Sequence, residues 1–135
     1  MNLRQIFDAT LANGGVTVDL KTGAILEGQP NSGERYAVAL DFGQVLDFGT
    51  HPKDVPGAYT NFLEACAKLL LELRKDGHSH PDYIGTWIDG NVFYIDPVVL
   101  LFGIDGARDI ARLNNQKAIY DLQTGTTLQV VPETR

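Results

Sequence analysis

Cysteine is almost absent: the chain has one among 135 residues. Cys66 therefore excludes an internal disulfide and any metal site built only from thiolates, because both need partners that the sequence does not contain. Long apolar runs are missing too. No stretch approaches the roughly 18 residues of a membrane span, and Met1-Asn2-Leu3-Arg4-Gln5 has neither the charged nor the apolar region of a signal peptide. A cytoplasmic protein with no membrane partner is expected. Positive charge is short as well: 11 Lys plus Arg stand against 17 Asp plus Glu, for a net charge of -6. Binding to phosphate backbones draws its affinity from cations, so no nucleic-acid partner is expected. Nor does the chain carry a GxGxxG, P-loop, GxSxG or HExxH motif, and no cofactor is expected.

What is present describes an ordinary globular chain, with 44% hydrophobic and 21% charged residues. At 14.8 kDa the area scaling gives a folded surface of roughly 7,000 Å², enough burial for one core but not two. A single domain over 1–135 is expected.

Leu3, Ile6, Phe7, Thr10 and Leu11 recur at helical spacing between Asn2, an N-cap with Gln5 three residues on, and the stop Asn13-Gly14-Gly15. Val16–Leu20 and Ala24–Glu27 read as strands around Lys21-Thr22-Gly23, and Gly28–Gly33 as a loop. Tyr36, Val38, Leu40 and Phe42 alternate with Arg35, Ala37, Ala39 and Asp41, the pattern of a strand, and Val45–Phe48 is a second extended run. Tyr59, Phe62, Leu63, Cys66, Leu69, Leu70 and Leu73 mark the apolar face of a long helix, Ala58–Lys75, stopped by Gly77.

The segment Tyr83–Ile95 contains Asp89-Gly90 between two β-rich runs and predicts a hairpin with a type I′ turn. That turn pairs Trp87 with Val92 and Gly85 with Tyr94. Ile84, Thr86, Ile88, Phe93 and Ile95 then share a core-type face. Tyr83, Trp87, Val92 and Tyr94 share the other, with Gly85 leaving a gap. Either a helix packs over this second face, or it is an exposed aromatic patch of the composition enriched at interfaces. Pro97–Ile104 is apolar and of undetermined type. Asp105 opens a short helix through Asn114, and Ala118–Leu122 with Thr126–Val131 forms a last hairpin around Gln123-Thr124-Gly125. The predicted fold is α+β: a largely antiparallel sheet of hairpins, one long helix packed on it and two short helices.

Two features recur. At an offset of 102, Ala9–Glu27 and Ala111–Gln129 share eight residues of nineteen without a gap, each reading as helix, turn and a hairpin with Asp-Leu-x-Thr-Gly. Either a duplication or two convergent hairpin turns accounts for this. The stretch Tyr83–Asp96, followed by Ala107-Arg108 and by Asn115-Gln116-Lys117-Ala118-Ile119-Tyr120-Asp121-Leu122, resembles small uncharacterised proteins of actinobacteria and their phages. Their pattern is Gly-Gly-Trp, an acidic turn, Val-Tyr-Leu-Asp, a short helix and Gln-x-Ala-Ile-Tyr-Asp-Leu. Thr86 departs from its second Gly. The resemblance covers roughly the last 55 residues and implies no activity and no catalytic residues.

From Asp76 to Ala107 five carboxylates, Asp76, Asp82, Asp89, Asp96 and Asp105, occur without one Lys or Arg. Local roles explain most: Asp89 in the hairpin turn, Asp105 capping a helix, Asp82 and Asp96 at strand edges. Together they also make an acidic surface able to attract a basic partner. His78, His80 and Asp82 point the same way if extended and could hold a divalent metal, but Gly77 and Pro81 make that stretch a loop with nothing evident to orient the ligands. His51 has no inferable partner. Cys66, on an apolar helix face, reads as a small buried hydrophobe, and Asp41 with Asp47 as solvated edge residues rather than an acid/base pair.

The expectation that follows is a non-enzymatic protein-interaction module, an accessory factor of a phage or mobile element as far as the resemblance goes. Tyr83, Trp87, Asp89, Val92 and Tyr94 would bind a protein partner with a basic surface, or a second copy of the chain in a homodimer. The rival is a small metal-dependent enzyme using His78, His80 and Asp82.

Overall fold

The computed structural model describes residues 2–26, 35–40, 43–74 and 82–130. Within them lie three α-helices, one 3-10 turn at Pro52–Asp54 and eight strands. The fold is α+β, as the periodicities predict.

Helix α1 is Leu3–Asn13. The Asn2 side chain accepts a hydrogen bond from the Gln5 N–H at 3.0 Å, and Gly14, at φ 85°, donates its N–H to the Thr10 carbonyl. The strands β1 (Gly15–Asp19) and β2 (Ile25–Leu26) then form a hairpin. Its turn is closed by Asp19, whose carboxylate accepts from the N–H groups of Lys21 and Thr22, with Gly23 at φ 75°. Next come β3 (Tyr36–Ala39) and β4 (Gln44–Asp47), and then helix α2, which buries Phe62, Ala65, Cys66, Leu69 and Leu73. Helix α2 is Ala58–Leu73, 16 residues against 11 in α1. It ends at Leu73, short of the expected Lys75, and is only moderately longer than its neighbours.

The hairpin β5 (Tyr83–Asp89) and β6 (Val92–Leu101) corrects the expected turn. Asp89 pairs with Val92, so the loop residues are Gly90 and Asn91 rather than Asp89 and Gly90. Gly90 at φ 60° supplies the positive φ that a primed two-residue turn needs at its first position. The register moves by two residues: Trp87 faces Tyr94, and Gly85 faces Asp96. An even shift leaves every side chain on its expected face. Strand β6 also runs on through Pro97 to Leu101, which settles the undetermined segment and places Asp96 mid-strand, not at an edge. Helix α3, Ile104–Leu113, starts one residue before Asp105 and has Gly103 at its N-cap with no side-chain cap bond. The strands β7 (Ala118–Asp121) and β8 (Thr126–Gln129) close the fold in a turn of the β1–β2 type, where Asp121 accepts from the N–H groups of Gln123 and Thr124 and Gly125 has φ 72°.

All eight strands join one antiparallel sheet in the order β2-β1-β5-β6-β3-β7-β8, with β4 also on β6. One edge of β6 is shared, since Ile95 pairs with Gln44 of β4 while Val98 pairs with Ala39 of β3. The ladder is interrupted between them at Asp96 and Pro97. A proline has no N–H to give a ladder, and the Leu40 N–H instead donates to the Pro97 carbonyl at 2.8 Å.

Two buried clusters hold the layers together. Ile6 and Phe7 of α1 and Phe62 and Leu69 of α2 pack on Phe93 and Ile95; the Phe7 ring lies 5.3 Å from Phe62 and 5.7 Å from Phe93. A buried hydroxyl pair joins α1 to β5: Thr10 donates to the Ile6 carbonyl and so accepts from Thr86 at 2.6 Å. In the second cluster Ala107 and Ala111 of α3 pack with Tyr36, Val38 and Ile119, and Val99 and Leu101 lie against them. Phe93, Ile95, Val99 and Leu101 are alternate residues of one strand and share a face. All three helices therefore cover the same side of the sheet.

Candidate functional site

The other side of the sheet can be read row by row, because residues directly opposite in adjacent strands share a face. The outermost row is Asp89–Val92–Asp47. Below it run Gly15–Trp87–Tyr94–Val45, then Thr17–Gly85–Asp96, then Asp19–Tyr83–Val98–Ala39. Ala37 and Tyr120 continue the face toward the other end of the sheet. Among the described residues no helix contributes to either core from this side.

Trp87 and Tyr94 stack with centroids 4.9 Å apart and planes at 22°. Trp87 is 38% exposed and Val45 60% exposed. Of the expected partner-binding residues, Tyr83, Trp87, Asp89, Val92 and Tyr94 all lie on this uncovered face. Asp89 is exposed at its rim, while Tyr83 is half-buried two rows below Trp87. Of the two alternatives for this face, the described residues show no helix packed over it.

Below the aromatic pair the face becomes a cleft of about 650 Å³, within the usual range for ligand pockets. Its floor is made of small side chains: Gly15, Thr17, Gly85, Ala37, Ala39 and Ala118 all line it. The space exists because these positions carry little or no side chain. At Gly85 even a methyl would meet Val98 Cγ2 at 2.8 Å.

Asp96 lines this cleft at 8% exposure. Burial pushes its carboxyl up to about 7, since charge is disfavoured away from water. Among the described residues none donates a hydrogen bond to it, and no Lys or Arg pairs with it. One oxygen, Oδ1, packs against Gly43, where a Cβ would overlap it and the Ile95 carbonyl. Lys117 lines the cleft on the side of β7.

The sequence reading missed Asp96, Thr17, Val45 and Asp47 as members of one surface. A signal was available for the first: Asp96 is two residues from Tyr94 and so shares its face in a continuous strand.

The other candidates come apart. Asp82 pairs at 3.9 Å with Lys21, its side chain 58% exposed, while His78, His80 and Asp41 lie outside the described residues. Among the described residues no group of three His, Cys, Asp or Glu is placed to hold a metal. His51 Nδ1 accepts from the Lys53 N–H at the start of the 3-10 turn, a local capping role. Asp47 is exposed and accepts from the Gly49 N–H. Cys66 is buried, and burial raises its thiol to about 11, which keeps it un-ionised at neutral pH. No described helix is long and apolar enough to cross a membrane. Compared with protein-family models, curated proteins and solved structures, the chain matches none.

Proposed function

We propose that the protein is a non-enzymatic binding module of the cytoplasm that docks a protein partner with a basic surface on its uncovered sheet face. The observation that carries this reading is the placement of all three helices on one side of the sheet, which leaves the stacked Trp87–Tyr94 pair and Val45 open to solvent. Aromatic rings of this kind are enriched among the residues that dominate interface energies. Asp47 and Asp89 flank the apolar row on its outer side, and the chain as a whole carries -6, so the partner's complementary charge is positive. The C-terminal resemblance to actinobacterial and phage proteins favours an accessory role in a phage or mobile element.

The test uses wild type and a Trp87→Ser/Tyr94→Ser variant immobilised side by side. Proteins retained from the source-cell lysate are identified, and the strongest is purified for titration. A basic protein bound by wild type and weakened by about 2 kcal/mol or more in the variant is expected. The variant should lose only about 1 kcal/mol of stability, on the scale of one lost ring stack. Equal retention by both proteins, or self-association of wild type in sedimentation as the only binding seen, would overturn the reading.

A further inference from the structure

We propose that the cleft over Asp96 is a binding site for a primary alkylammonium group, carried by a free small amine or by a lysine side chain. The inference deepens the binding reading by naming the chemical group the face recognises, and it rests on that reading only in needing the face to be open.

Four observations meet at the site. Asp96 is more than nine-tenths buried, lines the cleft and receives no hydrogen bond or counter-charge from any described residue. Buried carboxylates are ordinarily satisfied within the protein, so one that faces an open cleft without a donor is matched to a donor arriving from outside. The second observation is the floor. On the helix side β3 carries Tyr36 and Val38 and β5 carries Ile84 and Ile88, whereas on the cleft side β3 places Ala37 and Ala39, and β5 places Gly85, around Asp96. Volume is thus left empty beside the carboxyl, in an amount that suits a small organic group.

The wall supplies the third. The Trp87–Tyr94 stack lies one row from Asp96, about 7 Å along the strand by the pleat repeat, and aromatic faces attract organic cations. An alkyl chain leaving the carboxyl toward this wall would run beside the Trp87 ring, which lines the cleft. The fourth sets ammonium apart from guanidinium. With Oδ1 against Gly43, approach to that oxygen is narrowed on one side, which hinders a planar fork that needs both oxygens more than a compact ammonium that needs one. Thr17 lies in the same cross-strand row and lines the floor, so its hydroxyl oxygen is available as a second acceptor.

The probes are n-butylammonium chloride, N-acetyl-lysine methylamide as the side-chain source, and n-pentanol as the neutral control. Each is titrated into the full chain at pH 8 with amide shifts followed by heteronuclear NMR. At least one of the two amines is expected to give saturable shifts centred on Gly85, Asp96 and Val98, with at least tenfold weaker binding in Asp96→Asn. Asp109→Asn, which removes an exposed charge on α3 on the other side of the sheet, should bind like wild type. Which amine binds more tightly identifies the source. The proposal is overturned if neither amine binds saturably, if Asp96→Asn binds as wild type does, or if pentanol binds as well as butylammonium. An amine bound at Asp96 with no protein partner lost on changing Trp87 and Tyr94 would sink the docking reading alone. The reverse result would sink this one alone.

Discussion

Asp96 carries a measurable cost in the free protein. Its carboxyl has a value of 3.8 when unperturbed and about 7 in the fold, so between those limits the folded chain holds a proton that the unfolded chain has released. By linkage, this group's contribution is fully retained below about pH 3.8, falls as pH rises, and is flat above about 7. At 1.36 kcal/mol per pH unit the whole span is on the order of 4 kcal/mol. Among the described residues, Lys117 on the far wall and Asp19 one row below are the other charged groups on this face near Asp96, and neither pairs with it. Asp96→Asn should therefore remove the slope, making the variant more stable than wild type at pH 8 by a few kcal/mol and not at pH 4. Urea denaturation at pH 4, 6 and 8 measures this difference, and parallel pH curves for the two proteins would contradict it. In the sequence Asp96 looked like one of five scattered carboxylates. Its burial depends on strand β6 continuing through Pro97, and a proline in an apolar run argues locally against that continuation.

At the level of elements, local chemistry was readable and reach was not. The Asn2 cap and both Asp-Leu-x-Thr-Gly turns follow from side chains that hydrogen-bond to backbone two or three residues away, and the apolar faces of α1 and α2 from the 3.6-residue period. The β5–β6 turn was misplaced because Asp89-Gly90 and Gly90-Asn91 are both good turn pairs, and only cross-strand packing chooses between them. That choice put Gly85 opposite Asp96 rather than Tyr94, and so moved the gap from the aromatic pair to the carboxyl. Gly85 is also a test of how tightly the cleft floor is built. A methyl there meets Val98 Cγ2 at 2.8 Å, and Val98 is itself buried. Gly85→Ala should cost about 1–3 kcal/mol, the range for overpacking. In a Val98→Ala background the same change should cost much less, because the methyl it strikes is gone. Chemical denaturation of the four proteins in that cycle gives the coupling, and simple additivity would mean that the contact is not the constraint.

For the whole molecule, the informative fact is the two-sidedness of the sheet. Around that sheet the strand order is β2-β1-β5-β6-β3-β7-β8, in which β1 meets β5 and β3 meets β7 across long stretches of chain. No residue pattern within a strand encodes those neighbours, and that is why the sequence left the aromatic face undecided between core and surface. Charge gives this face a signature in solution. Trp87 is the sole tryptophan, so its fluorescence reports on this surface alone. Its surroundings on the outer rows are Asp47 and Asp89, in a molecule of net charge -6. Acrylamide should quench it, as expected for a ring 38% exposed. Relative to free N-acetyl-tryptophanamide, caesium should be enriched and iodide excluded at low ionic strength. With a Debye length of about 30 Å at 0.01 M and about 3 Å at 1 M, the caesium-to-iodide ratio should fall toward that of the free compound as salt is added. Asp47→Asn/Asp89→Asn should lower the ratio at low salt without changing acrylamide access. A ratio equal to that of the free compound at every salt concentration would remove the acidic rim from the account of partner choice, and emission shielded from acrylamide would remove the open aromatic face itself.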